Sequence, residues 1–203
     1  MEANSSPFKI ILGSSSVARR KILSEMGYEF TIMTADIDEK AIRKEKPEEL
    51  VVALAEAKAE AILGRLSIDD YIKDAQPTLL ITSDQVVIYE GVIREKPDSK
   101  EEARQFMKDY SGGHAATLGS VLVTNLKTGF RKGEWDQVEI YFHEIPDEVI
   151  DKLVEEGIVL NVAGGLIIEH PLIIPYVKEV VGTTDSVMGL PKALTEKLLK
   201  EAI

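Results

Sequence analysis

Leu79-Leu80-Ile81-Thr82-Ser83-Asp84-Gln85-Val86-Val87-Ile88 is strand sequence interrupted by one lone carboxylate. An ionised carboxylate removed from water costs on the order of several kcal/mol unless something pairs with it. Two readings therefore compete. In one, Asp84 sits in a tight turn, as Asp often does, and residues 79–88 are a central pair of strands. In the other, Asp84 lies inside a buried sheet and is matched there by a cation, a metal or a reaction.

The sequence on either side places this stretch at the centre of an α/β domain. Downstream, Glu90-Gly91 reads as a hairpin turn before Val92-Ile93. Ser99 caps a helix over residues 100–110, with Glu102 completing a capping box. Strands are expected over 115–125 and 135–142, joined by a turn at Lys127-Thr128-Gly129. Pro146 opens a helix over 147–156, and Gly164-Gly165 leads into Leu166-Ile167-Ile168-Glu169. A strand over 176–181 and a C-terminal amphipathic helix from Leu190-Pro191 complete the chain.

Upstream, Pro47 opens a helix over 48–63 whose apolar residues Val51, Leu54, Ala55 and Ile62 fall at helical spacing. Residues 64–77 read as a polar loop or a frayed helix end. The chain begins with a strand over 8–13. Ser14-Ser15-Ser16 then caps a helix carrying Ala18, Ile22, Leu23 and Met26, which Gly27 closes. A second strand over 28–33 and the acidic segment Ala35-Asp36-Ile37-Asp38-Glu39 follow. The order β-α-β-α-β-β-α-β-β-α-β-α mixes alternation with hairpins, which predicts a mixed sheet rather than a purely parallel one. We expect a single domain over 1–203, with residues 112–165 as the place for a second lobe.

Composition narrows the function classes. The chain has 203 residues, 44% of them hydrophobic, enough for a substantial core. It has no cysteine, which excludes disulfides and thiolate metal sites. No apolar run approaches the roughly 20 residues of a membrane span. Met1-Glu-Ala-Asn-Ser-Ser-Pro lacks the basic flank and apolar stretch of a signal peptide. These features lead us to expect a cytoplasmic protein with no membrane partner. Acidic residues outnumber basic ones 35 to 24, a net charge of −11. That disfavours a nucleic-acid polymer, whose affinity comes largely from Lys and Arg neutralising phosphates. A small phosphorylated ligand needs only a local cation cluster or a metal.

Several groups suit such a ligand. Gly13-Ser14-Ser15-Ser16-Val17-Ala18-Arg19-Arg20 lies at a strand-to-helix junction. Free N–H groups, the hydroxyls of Ser14 and Ser16 and the guanidinium groups of Arg19 and Arg20 would favour an anion there. The competing reading is a Ser-capped surface helix with solvated arginines. Asp36, Asp38 and Glu39 suit Mg²⁺, a hard ion that takes oxygen ligands and bridges to phosphates; a solvated acidic loop is the alternative. Lys58, in an Ala- and Glu-rich helix, and Lys96, in Arg94-Glu95-Lys96-Pro97, read singly as surface lysines. His114, His143 and His170 have no ligand spacing and read as structural. Trp135 reads as a packing residue.

Taken together these pieces resemble the Maf family of nucleotide pyrophosphatases along the whole chain. Leu12-Gly-Ser14-x-Ser16-x-x-Arg19 is similar to the family's opening motif, and the Gly-Ser-Ser-Ser-x-Ala-Arg-Arg wording over 13–20 looks more like plant relatives than bacterial ones. Asp36-Ile-Asp38-Glu39 resembles the acidic motif, and Ala57-Lys58-Ala59 the Lys-Ala helix. Ser83-Asp84-Gln85-Val86-Val87, Lys96-Pro97, Tyr110-Ser111-Gly112-x-His114 and Gly189-Leu190-Pro191 resemble the motifs that follow. The resemblance implies a mixed, elongated β-sheet flanked by helices, in two lobes with a cleft, as in Maf and inosine triphosphatase-like folds. It implies hydrolysis of a nucleoside triphosphate to monophosphate and pyrophosphate with a divalent metal, Mg²⁺ or Mn²⁺, and a homodimer.

Under the resemblance, Asp84, Lys96, Lys58 and Glu39 are catalytic, with Glu39 and Asp84 as metal ligands. Asp84 acts as base, metal ligand or both. Arg19, Lys58 and Lys96 hold phosphate oxygens, and Ser14 and Ser16 donate from the helix N-terminus. The chain departs from the family in having Val17 where Pro is usual and Ala18 where Arg or Trp is common. The branch acting on dTTP and UTP has Thr after the Asp and Gln in a later Gly-containing strand. Here those positions are Gln85 and Glu169, which with Arg19-Arg20 resemble the branch acting on 7-methyl-GTP. Glu169 can accept from guanine N1–H and the exocyclic amine, whereas uracil offers one such donor. Two alternatives stand beside this reading: dTTP/UTP hydrolysis, and a nucleotide-binding regulator of cell division without turnover.

Overall fold

The computed structural model describes residues 6–203, so the reading of the extreme N-terminus falls mostly outside the described residues. Seven strands form one mixed sheet flanked by helices, in the order β2-β1-β3-β5-β6-β7 with β4 paired to β3. The chain divides into two compact units. One comprises residues 6–84, 120–135 and 189–203, and the other residues 85–119 and 136–188.

In the first unit, β1 (Lys9–Leu12) pairs in parallel with β2 (Thr31–Ile32) and with the start of β3 (Thr78–Tyr89). Ser16 accepts from the Arg19 backbone N–H at 3.3 Å and so caps α1 (Val17–Glu25). Pro47 sits at the start of α2 (Pro47–Leu63), where a missing N–H costs nothing. Residues 64–77 are not wholly a loop: Ser67 precedes a short helix, α3 (Ile68–Lys73), with Asp69 and Asp70 in its first turn. The expected second strand over 28–33 shrinks to its last ladder, because only Thr31 and Ile32 pair with β1. Ile11, Ala55, Ala59, Ile62, Leu80, Leu122 and Leu126 form the core between α2 and the sheet.

Gly13 ends β1 where α2 comes closest. A Cβ there would lie 2.6 Å from Ile62 Cδ1 and 2.8 Å from Thr82 Cγ2. Overpacking of this kind costs about 1–3 kcal/mol. Gly13→Ala is therefore expected to lower the urea midpoint of unfolding. A wild-type midpoint would mean that Ile62 swings aside without cost.

In the second unit, Glu90 (φ 47°) and Gly91 (φ 78°) make the tight hairpin turn from β3 into β4 (Val92–Arg94). Ser99 caps α4 (Lys100–Tyr110), accepting from the Glu102 N–H at 3.1 Å. Glu102 reaches back to the Asp98 N–H at 3.2 Å, one residue before the cap. β5 (His114–Asn125) and β6 (Arg131–Phe142) run through both units. α4 packs on α5 (Asp147–Glu156), and β7 (Val177–Val181) pairs antiparallel with β6. Met107, Tyr110, Val138, Ile140, Ile150 and Leu153 are among the residues of this unit's core.

Three expectations need correction. Asp84 is not in a turn, and β3 is a single strand rather than a pair, since its backbone runs unbroken from Thr78 to Tyr89. Leu166-Ile167-Ile168-Glu169 is not a strand. It follows a turn at Ala163–Gly165 in which both glycines have positive φ, and its own residues run as coil and bends rather than in a ladder. Trp135 is 48% exposed, because it lies on the outward face of β6, and so is no core packing residue. A short helix, α6 (Thr184–Met188), precedes the C-terminal α7 (Lys192–Glu201). His170 Nε2 lies 2.7 Å from Glu156, and His114 stacks on Tyr141. No described helix is long and apolar enough to cross a membrane.

Candidate active site

The site residues of the first unit gather around one buried carboxylate. β3 carries Asp84 into the sheet with a side chain only 10% exposed. From α2, the Lys58 ammonium donates to Asp84 Oδ1 at 2.8 Å and to the Ser83 carbonyl at 3.2 Å. The same ammonium lies 3.6 Å from Glu39 Oε1, on the turn Glu39–Ala41. Burial raises the Asp84 pKa above the ordinary aspartate range, against the pull of Lys58 and Arg19, and the neighbouring Glu39 adds to the rise.

At the β1–α1 junction Ser14 is buried, and its hydroxyl accepts from the Ser16 N–H at 3.1 Å and from Arg19 Nη1 at 3.4 Å. Arg19 Nε donates to the Gly189 carbonyl at 2.9 Å. Burial lowers the Arg19 pKa, while Asp84 and Glu39 act to raise it. Arg20 Nε is buried and has no hydrogen-bond partner among the described residues. A cation so placed is incompletely satisfied by the protein, which suits an anionic ligand.

Three residues that the sequence reading left without a role hold this constellation in place. Ser83 Oγ donates to the Gly189 carbonyl at 3.1 Å, so that one carbonyl receives both Ser83 and Arg19. Gly189 has φ 116°, and a Cβ there would stand 3.0 Å from Arg19 Nε. Ser120 on β5 accepts from the Asp84 N–H at 3.2 Å and donates to the Val51 carbonyl at 2.6 Å. For each of the two serines the signal was present in the sequence as a hydroxyl within an apolar strand, where burial demands a partner. Its partner was not readable.

The acidic segment does not form a metal nest: among the described residues no group of three or more His, Asp or Glu could hold a metal ion. From that segment Glu39 lies beside the Lys58–Asp84 pair. Two hard carboxylates, one of them desolvated, nevertheless fit a divalent cation that takes its other ligands from phosphate and water.

Gln85, Lys96 and Glu169 belong to the second unit. The Gln85 amide nitrogen donates to the carbonyls of Val187 at 2.7 Å and Ser186 at 3.3 Å, which fixes the amide's orientation. Lys96 is exposed on the segment after β4. Glu169 is exposed, and its Oε2 accepts from the Ile168 N–H at 3.1 Å.

The family described as Maf-like protein matches residues 9–202. A protein of Dictyostelium discoideum named 7-methyl-GTP pyrophosphatase is 40% identical over 192 residues, covering 95% of this chain and 96% of its own. A dTTP/UTP pyrophosphatase of Alkaliphilus metalliredigens is 29% identical, covering 90% of each chain. A 7-methyl-GTP pyrophosphatase of Idiomarina loihiensis is 34% identical, covering 72% of this chain and 70% of its own.

Proposed function

We infer that this chain, which belongs to the Maf-like family, is a nucleoside triphosphate pyrophosphatase: water adds at the α-phosphorus, and pyrophosphate leaves from a nucleoside monophosphate. The observation that carries this reading is the buried Asp84 carboxylate gripped by Lys58 beside Arg19 and Glu39. A carboxylate whose pKa is raised by burial is a better general base near neutral pH than a solvated one. Asp84 orients the attacking water and takes its proton. Arg19, Lys58 and Lys96 hold phosphate oxygens and stabilise the charge that builds on them. Ser14 and Ser16 orient the phosphate end, and Arg20 adds charge. Glu39 and Asp84 are the residues that would hold Mg²⁺ or Mn²⁺, which when bound offsets triphosphate charge. The surplus of acidic residues, 35 against 24 basic, supports a free nucleotide over a polymer as substrate.

The substrate we assign is 7-methyl-GTP. The 40% identical relative bears that name, whereas the dTTP/UTP relative reported above stands at 29%. The chemistry agrees: Gln85 offers its carbonyl oxygen and Glu169 a carboxylate, both acceptors, which suit the N1–H and amine donors of guanine. A methylated, cationic base also favours a nearby negative charge. Pyrophosphate release across 7-methyl-GTP, UTP, dTTP, CTP, GTP, ATP and inosine triphosphate, with Mg²⁺ or Mn²⁺, tests both levels. A peak on 7-methyl-GTP is expected. A peak on UTP and dTTP keeps the reaction and discards the base assignment. No release on any nucleotide by folded protein overturns the enzyme in favour of a binding regulator.

Glu169→Gln replaces half of an acceptor pair with a donor while keeping its size. It is expected to change the ranking of 7-methyl-GTP against the other nucleotides in kcat/KM and to leave hydrolysis in place. An unaltered ranking would mean that Glu169 does not read the base.

A further inference from the structure

Gly164-Gly165 stands out in the sequence without a part in the chemistry. Both glycines have positive φ, 63° and 61°. Their neighbours account for this. The Gly164 N–H donates to the Glu95 carbonyl at 2.9 Å. A Cβ on Gly165 would meet Pro97 Cγ at 3.4 Å. The glycine pair thus touches the residues immediately before and after Lys96. Gly164 comes so close to β3 that a Cβ would lie 2.5 Å from Val87 Cβ, and Val87 is the strand partner of Arg94, two residues before Lys96.

Tyr110, at the end of α4, holds the glycine turn from the other side. Its hydroxyl donates to the Gly164 carbonyl at 2.6 Å, and burial pushes its pKa up to about 12. The ring packs edge-on to Tyr89 and stacks with Phe142. Arg94 lies 4.2 Å over each of the Tyr89 and Phe106 rings and bonds Asp109, tying the end of β4 to α4. Pro97 is buried while Lys96 is exposed, so an outward-facing cation sits on backbone secured on both flanks.

We propose that Gly164-Gly165, locked by the Tyr110 hydroxyl, is a seat that positions Lys96 for its phosphate contact; Tyr110, Gly164 and Pro97 are positioning residues. The proposal rests on the reading of Lys96 as a phosphate ligand. A long, flexible lysine contributes in the transition state only when its stem starts from a fixed point, and a displacement near 1 Å can cost about 10²-fold.

The test is a double-mutant cycle on the full chain, read as kcat/KM for pyrophosphate release from the best nucleotide of the panel. Tyr110→Phe keeps the ring and its stacking and deletes the hydroxyl. Lys96→Ala is expected to lower kcat/KM by about 10²-fold and Tyr110→Phe by about 10-fold. In the Lys96→Ala background, Tyr110→Phe is expected to cost less than about 2-fold, since residues acting through one group are not additive. Pro97→Ala, which loosens the opposite flank without touching a buried hydroxyl, should follow the same pattern, with a loss when Lys96 is present and little further loss in the Lys96→Ala background. Equal losses with and without Lys96 overturn the seat and leave Tyr110 a merely structural residue. Wild-type turnover in Lys96→Ala overturns the reading of Lys96 itself, and the seat with it. Thermal melts of each variant confirm that folded protein is compared.

Discussion

Asp84→Asn is expected to lower pyrophosphate release by about 10²-fold or more while leaving the fold intact. Asparagine keeps the shape of the side chain and can still meet the Lys58 ammonium, 2.8 Å from the present oxygen. It cannot take a proton from water or carry the charge that a divalent cation needs. The pH profile adds a second reading. Because burial raises the Asp84 pKa, the carboxylate is protonated, and lost as a base, at a higher pH than a solvated aspartate as the solution is acidified. The acid limb of log kcat/KM in the wild type should therefore lie above the ordinary aspartate range and vanish in the variant. Near-normal turnover in Asp84→Asn would remove the carboxylate from the chemistry.

Lys58→Met is expected to be damaging twice over. The ammonium is shared by Asp84, the Ser83 carbonyl and Glu39, and its side chain is only 13% exposed. Methionine fills the space but leaves a buried carboxylate unpaired, a change that costs about 3–5 kcal/mol where one partner of a buried pair is removed. On the proposed reading, in which Lys58 holds phosphate oxygens, its loss lowers turnover by about 10²–10³-fold. The sign of the pH effect follows from Asp84. Without Lys58 its folded-state pKa rises further above its unfolded value, so the folded form gains a proton first and the lost stability returns as pH falls through that pKa. Denaturant melts at acidic and alkaline pH should show a larger deficit at the alkaline end, and adding Asp84→Asn should recover part of it. A variant that melts and hydrolyses like the wild type would place the ion pair away from the reacting phosphates.

Much of this was readable from local chemistry. Ser16 and Ser99 announced their helices because a hydroxyl before an apolar repeat has an N–H to accept. Pro47 and Glu90-Gly91 fixed a helix start and a turn by backbone geometry alone. Asp84, Lys58 and Glu39 were named separately, and the fold brought them to one ammonium. What local chemistry misjudged depends on distant partners. An Asp suggests a turn until the Lys58 ammonium arrives from α2 to pair its carboxylate and Ser120 from β5 to accept its backbone N–H inside a strand. Residues 28–33 alternate like a strand, but only the stretch facing β1 finds a ladder. Gly164-Gly165 likewise has no local explanation, because its partners are the distant Glu95 and Pro97.

Asp84 and Gln85 are consecutive on β3, and a strand sends neighbouring side chains to opposite faces. Asp84 is moored to Lys58 and Ser120, and Gln85 to the carbonyls of Ser186 and Val187. The two sets of moorings share no residue. On the roles proposed for the two residues, the choice of base can therefore be redrafted one codon away from the reacting carboxylate without disturbing the grip on it. Neighbours in the gene are free to evolve as strangers, which allows a single hydrolytic scaffold to be issued in several substrate dialects.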